Sequence, residues 1–211
     1  MKNLIIIGVG GFAREVYFHA QNSIGYGTEF VIKGFLDGTV KLLEEEYKKL
    51  QLPVLGDVNT YEPQTDDVFV IAIANCKAKE QIAKIMDAKG VEWWNLIHKT
   101  ALVHPQAHLG KDIILSMGVG IGPDTNIGNH ILINTYSAVG HDTVIGDYSS
   151  IMSYVDITGN NKIGHFTYWG SGAHIHPGLI VEDNAVIGIG SIVIKKVKRG
   201  VTVFGNPAKK I

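Results

Sequence analysis

The chain has 211 residues, and its 19 Lys and Arg against 20 Asp and Glu leave a formal net charge of −1. So even a balance argues against a nucleic-acid or membrane-surface partner, and a single cysteine, Cys76, excludes an internal disulfide and fits a reducing, cytoplasmic compartment. No stretch is long and apolar enough to span a bilayer, and Leu4–Ile7, followed closely by Arg14 and Glu15, reads as a buried first strand and not as a signal peptide.

In chain order, Leu4–Val9 is a continuous apolar run, as a strand covered on both faces requires. Gly8-Val9-Gly10-Gly11 is a tight turn, and Phe12–Gln21 follows with helical spacing, Phe12, Val16 and Ala20 on one face and Ala13 beside them. Val31–Leu36 predicts a second strand ending at Asp37, and Lys41–Leu50 a short helix. Val68–Ala74 predicts another buried strand, and Lys77–Lys89 an amphipathic helix stopped by Gly90. Val91–Thr100 crosses into a different kind of sequence, with Trp93 and Trp94 expected to pack at the junction. The order β-α-β-β-α implies a small Rossmann-like α/β domain over residues 1–92, a mostly parallel sheet with flanking helices.

Ligands of such sheets bind beyond the carboxyl ends of the strands. Gly8, Gly10 and Gly11 open a helix N-terminus, whose free N–H groups favour phosphate. Asp37, at the end of the second strand, suits the hydroxyls of a ribose. The segment Gly8–Ala13 is a shortened dinucleotide fingerprint with Ala13 in the third glycine's place. The domain is too small for a full dinucleotide fold, so the turn points to a nucleotide diphosphate carried by a sugar. A turn that merely joins strand to helix is the alternative.

Residues 93–211 carry a six-residue beat. From Ile97, every sixth residue is apolar through Val103, Leu109, Leu115, Ile121, Ile127, Ile133, Val139, Ile145, Ile151, Ile157, Ile163, Trp169, Ile175, Val181, Ile187 and Val193. The next residue is often glycine, and the fourth one on is small or β-branched, as at Thr125, Ser137, Thr143, Ser149, Thr167, Ala173 and Ser191. This period fits neither a helix nor an alternating strand. It fits a hexapeptide β-helix, with the aliphatic residue inside, the small residue sharing the inner wall, and glycine expected to relieve the backbone at the turn.

Three hexapeptides make one coil, so residues eighteen apart stack at about 4.8 Å. His141, two places after an inward position, then lies at a corner and points outward. Its column holds Pro123 below, Gly159 above and Pro177 beyond. A glycine over the imidazole leaves open space and an approachable backbone N–H. Asp142 stands next to His141, where a carboxylate can orient the ring and raise its basicity. A solvated His-Asp pair on a turn is the plain alternative. Among the other histidines only His104 and His176 share a column, four coils apart, too far for one metal ion. The basic tail, with Lys195, Lys196, Lys198, Arg199, Lys209 and Lys210, suits the phosphates of a long donor such as coenzyme A, or caps the solenoid edge.

The beat, the segment Ser137-Ala138-Val139-Gly140-His141-Asp142-Thr143-Val144-Ile145-Gly146 and the ending Gly205-Asn206-Pro207-Ala208-Lys209 resemble one family across the whole chain. It is the sugar O-/N-acetyltransferase group of hexapeptide-repeat acyltransferases, of the sialic-acid O-acetyltransferase and bacillosamine-pathway N-acetyltransferase type. The resemblance implies a left-handed parallel β-helix over residues 93–211 and a homotrimer with acetyl-CoA in clefts between solenoids. It implies His141 as general base and Asp142 as its partner. Ser150, Gly159 and Ser171 match donor-contacting positions, to which Gly188 and Lys209 are added at the C-terminal end. Gly8, Gly10, Gly11, Phe12, Asp37 and Ala74 take the acceptor. Gly10 and Phe12 stand where some members carry a small polar residue and a histidine, and Ser150 where some carry a histidine.

The expected reaction is acetyl transfer from acetyl-CoA to the amine of a nucleotide-linked amino sugar, with no metal. Cell-surface polysaccharide synthesis is the expected setting. O-acetylation of a sialic acid or another surface sugar is the nearest rival. A γ-carbonic-anhydrase-like zinc enzyme and a non-catalytic scaffold trimer are the others.

Overall fold

The computed structural model describes residues 1–38 and 47–211. Its contacts divide into two units, Met1–Lys99 and Thr100–Ile211.

The first unit runs β1 (Lys2–Ile7), α1 (Gly11–Ala20), β2 (Phe30–Asp37), β3 (Val54–Asp57), β4 (Asp67–Ile71), α2 (Cys76–Asp87) and β5 (Glu92–Trp93). The strands form one sheet in the order β3-β2-β1-β4-β5, every neighbouring pair parallel. Leu4–Ile7 and all of β4 are buried because helices cover such a sheet on both faces. Each such aliphatic side chain contributes about 1.5–3 kcal/mol by leaving water. The strand order reverses between β1 and β4, which fixes where the carboxyl-end crevice opens.

The helix expected over Lys41–Leu50 falls for the most part outside the described residues. β3 and β5 have no counterpart in the sequence reading: one is interrupted by Gly56 and the other is two residues long. Helix α1 buries Ala13, Val16, His19 and Ala20 but not Phe12, which therefore leaves the core face predicted for it. Trp93 belongs to β5 and donates to Asp87 Oδ1 at 2.8 Å, and Trp94 packs on Phe30, ring centroids 5.7 Å apart, all within the first unit.

His19, at the end of α1, meets His98 edge to face at 5.6 Å, and both rings are buried. Burial holds both imidazoles below their usual pKa; His19 is lowered further by His98, and His98 by Lys99. A lowered folded-state pKa means the pair stabilises the fold fully above about pH 6.5, and that contribution is lost as pH falls from there through the folded-state values. Thermal melts at pH 7.5 and 5.5 should show a smaller acid-induced drop in His19→Gln than in the wild type. An equal drop would remove this pair as an acid-sensitive element.

The second unit is a prism of two- and three-residue parallel strands. One face stacks strands at Leu102–Val103, Gly120–Ile121, Ala138–Val139, Asp156–Ile157, His174–Ile175 and Ile192–Val193. The second runs from His108–Leu109 to Ile180–Val181, and the third from Ile113–Leu115 to Thr202–Phe204, where Lys209–Lys210 folds back antiparallel. Partners are eighteen residues apart until the last coil, as in Ile121, Val139, Ile157 and Ile175, and there Val186 pairs with Thr202. The fold is a left-handed parallel β-helix. Leu115 and every later residue of the beat are buried, as are Thr125, Ser137, Thr143, Ser149, Thr167, Ala173, Ala185 and Ser191 on the same inner wall. Val103 and Leu109, in the first coil, are only half-buried.

The turn chemistry differs from the sequence reading. The residues in left-handed conformation come three places after the inward positions from Leu109 to Ile187, at Asp112, Asp124, His130, Tyr136, Asp142, Tyr148, Tyr154, Asn160, Phe166 and Asn184 and at glycines such as Gly172. The glycines directly after the inward residues serve close coil contact. A Cβ on Gly140 would stand 2.5 Å from Gly159 N, and one on Gly122 would stand 2.8 Å from His141 N. No backbone strain asks for glycine there; the next coil does.

Candidate active site

Two places in the chain gather functional groups, one in each unit. In the first unit, all six acceptor residues predicted from sequence, Gly8, Gly10, Gly11, Phe12, Asp37 and Ala74, line one cavity of about 370 Å³. It opens where β1 and β4 diverge, at the starts of α1 and α2. Gly8 adopts φ +127°, and a Cβ there would lie 2.9 Å from Ala72 O, so the strand-to-helix turn admits glycine alone. Gly10 is the N-cap of α1 and offers no side chain to its first N–H groups, and the first turn has no acidic residue. Those donors are therefore left for an anion.

Asp37 is the one charged side chain of the lining among the described residues. Its Oδ2 accepts from the Tyr47 hydroxyl, while its buried Oδ1 has no partner. A buried, unpaired carboxylate oxygen costs free energy until a ligand hydroxyl donates to it. Sequence reasoning missed Asn75. It caps α2 by accepting from Lys77 N at 3.1 Å and Ala78 N at 3.0 Å, and it lines the same cavity. The signal was present, since asparagine directly before a helical segment is a strong N-cap.

In the second unit, His141 and Asp142 sit at the corner after Val139, and both side chains are more than half exposed (56% and 55%). His141 Nδ1 is 2.7 Å from Asp142 Oδ2. An ionised carboxylate only accepts, so Nδ1 carries the proton and Nε2 keeps its lone pair. Asp142 itself adopts φ +55°, which turns its carboxylate back toward the ring of its neighbour. Gly159 lies against that ring: a Cβ there would be 2.6 Å from His141 Nε2.

The same corner leaves two amides without acceptors. At the corner that follows the second face, four successive equivalent N–H groups are capped by a side chain one coil on. Lys111 N donates to Asn129 Oδ1, Asn129 N to Asp147 Oδ1, Asp147 N to His165 Nδ1, and His165 N to Asp183 Oδ1, at 2.7–3.1 Å. At the His141 corner that ladder is missing. Pro123 and Pro177 have no N–H, Gly159 has no side chain with which to cap His141 N, and Pro177 cannot cap Gly159 N. Neither amide donates to any protein group among the described residues, and Gly159 is buried. Buried amides are almost always paired, so the Gly159 N–H is a donor open to an incoming acceptor.

Of the residues matched to the donor, Gly159 lies at the His141 corner, and the others lie elsewhere on the solenoid. Ser150 is on the third face, fully buried, with its Oγ unpartnered. Ser171 lies at the corner after the third face, with an N–H that has no acceptor among the described residues. Gly188 sits at the same corner, but its N–H donates to Val203 O at 2.8 Å, so the free amide at that level belongs to Ile189. Lys209 is exposed on the back-folded strand. Of the basic tail, Lys196 is paired with Glu182 and Arg199 with Asp183, while Lys195, Lys198, Lys209 and Lys210 are exposed. Within one chain Ser150, Ser171, Gly188 and Lys209 are separate from the corner that His141 shares with Gly159.

Among the described residues no group of three or more His, Cys, Asp or Glu could hold a metal ion, and no helix is long and apolar enough to cross a membrane.

Residues 3–86 match the family described as the PglD N-terminal domain. Over 53 residues the chain is 47% identical to chloramphenicol acetyltransferase from Klebsiella aerogenes, a match spanning a quarter of each protein. Several solved structures cover the whole chain, among them the two that follow. The acetyltransferase domain of PglB from Neisseria gonorrhoeae, in complex with acetyl coenzyme A, is 27% identical with TM-score 0.86 and is covered over 99% of its length. PerB from Caulobacter crescentus, in complex with CoA and GDP-perosamine, is 25% identical with TM-score 0.87 and is covered over 98%.

Proposed function

The chain is an acetyltransferase of the hexapeptide-repeat sugar acetyltransferase family, and from that premise we propose that it moves the acetyl group of acetyl-CoA to the amine of a nucleotide-linked amino sugar. The single observation that carries this reading is the His141–Asp142 pair lying against Gly159 beside two amides with no acceptor.

The amine nitrogen attacks the thioester carbonyl carbon and its proton passes to His141 Nε2. Asp142 holds the tautomer in which Nε2 is free and stabilises the imidazolium that forms. The carbonyl oxygen becomes negative as the tetrahedral centre develops, and the Gly159 amide donates to it. The C–S bond then breaks, coenzyme A leaves, and the proton held by His141 goes to its sulfur. No covalent enzyme intermediate is needed: Cys76, the only cysteine, lies in the other unit.

The acceptor's nucleotide is held in the cavity of the first unit, with phosphates on the α1 N-terminus and a ribose hydroxyl on Asp37 Oδ1. The donor lies along the corner bearing Ser171 and Ile189, whose free amides are one coil apart. The two amide carbonyls of a pantetheine arm are separated by a β-alanine unit. An extended α-residue spans about 3.5 Å and the additional methylene adds about 1.3 Å, which matches the coil repeat of about 4.8 Å. The donor's phosphates fall to Lys209 and its exposed neighbours. Since these groups and His141 occupy different corners, the site needs two copies of the chain side by side, and a homotrimer supplies three such seams.

The test is turnover with acetyl-CoA on UDP- and GDP-linked amino sugars set against free sialic acid. Acetylation of the amine is the expected result. Turnover of sialic acid alone would move the reading to O-acetylation.

A further inference from the structure

The corner that carries Ser171 and Ile189 also carries an aromatic wall that no step above uses. Its left-handed column reads Gly118, Tyr136, Tyr154, Gly172 and Gly190. Tyr136 and Tyr154 are stacked, ring centroids 5.5 Å apart, and both are exposed. They lean toward the N-terminal end: a Cβ on Gly118 would be 2.5 Å from the Tyr136 ring, whereas one on Gly172 would meet nothing closer than Gly190 Cα at 3.9 Å. Tyr154 is thus backed by Tyr136, which is backed by the Gly118 backbone, while its opposite side looks along an open glycine floor.

On a solenoid, residue number is height: eighteen residues climb about 4.8 Å. Tyr154 falls between His141 and Gly159 in that scale. A symmetry axis along the solenoid carries the same heights from one copy to the next. A donor whose phosphates sit on the basic C-terminal end and whose arm follows Ile189 and Ser171 brings its thioester to this height. Its acyl tail then points at the Tyr154 ring.

We propose that Tyr154, braced by Tyr136, is the residue that limits acyl length and selects acetyl over longer acyl donors. The inference rests on the donor placement proposed above. An acetyl methyl ends short of the ring; a butyryl chain extends into it, and the ring cannot recede because Tyr136 and the Gly118 backbone stand behind it.

Tyr154→Gly is the variant of choice. Tyr154 has φ +60°, and glycine already occupies that conformation in the next two coils, at φ +70° and +64°, so the substitution removes the ring without opposing the backbone. The quantity read is the ratio of kcat/KM for butyryl-CoA to that for acetyl-CoA, with thermal melting to confirm folding. The ratio should rise at least about tenfold, the scale on which pockets discriminate methylene groups. Tyr136→Gly, which removes only the brace, should raise it by less. A folded Tyr154→Gly with an unchanged ratio overturns the inference alone. A wild type that transfers no acetyl group from acetyl-CoA overturns the donor reading and this inference with it.

Discussion

His141→Ala should lower kcat by at least about a hundredfold and leave the thermal midpoint and oligomeric state of the wild type in place. The first part follows from the chemistry. A neutral amine attacking a thioester must shed a proton, and a positioned base contributes about 10²–10⁴ to such a step. At the Gly159 corner His141 Nε2 combines a free lone pair with exposure, since Nδ1 is held by Asp142. The second part follows from the fold. The side chain is on the outer surface, and the coil is held by backbone bonds such as Asn160 N to His141 O at 2.8 Å, which alanine keeps. KM should change little, because the imidazole acts as the proton moves and not while the ground state binds. Asp142→Asn should cost less, since it alters the tautomer but leaves the ring. Turnover close to wild type in His141→Ala would end the base assignment.

The prism was legible because it is periodic. One aliphatic residue in six carries the interior, and a column rule of eighteen placed His141 beneath Gly159 with no side-chain information. The glycines were assigned the wrong task for a physical reason. A sequence shows that a glycine is present, but it cannot distinguish relief of φ from lack of room, and here the next coil's backbone claims the space. The strained positions instead hold Asp, Asn, Tyr, Phe and His. Asp and Asn tolerate that conformation; the bulky rings are kept there by stacking, as in His130–Tyr148–Phe166 at 4.9 and 5.1 Å.

The uncapped amides were half legible. Pro123, Gly159 and Pro177 can be read off the column rule, and each lacks either the N–H or the side chain that a cap requires. What the sequence could not show is that caps are the norm one corner away, at Asn129, Asp147, His165 and Asp183. The cavity of the first unit was legible through its glycines and Asp37, because a parallel sheet fixes where its crevice opens. The unpaired state of Asp37 Oδ1 was not, since it depends on where the Tyr47 hydroxyl goes.

Gly159→Ala is the sharper test of the site, because it adds one methyl group and removes nothing. Gly159 is not among the residues with positive φ, so its backbone accepts alanine. The new Cβ would stand 2.6 Å from His141 Nε2, 2.8 Å from Cε1 and 3.0 Å from Cδ2, and the imidazole must swing away. That motion breaks the alignment set by Asp142 and draws Nε2 from the reacting centre. We expect kcat to fall at least about a hundredfold with the fold intact, the scale of losing a base or one oxyanion donor. The double variant His141→Ala/Gly159→Ala separates the two routes. If the methyl group acts only by displacing the imidazole, the double variant is no slower than His141→Ala. If it also screens the amide of residue 159, the double variant falls by a further factor. A Gly159→Ala enzyme that turns over like the wild type would mean that the imidazole works in some other orientation, and the stacked His141–Gly159 arrangement would not be the one that performs the transfer.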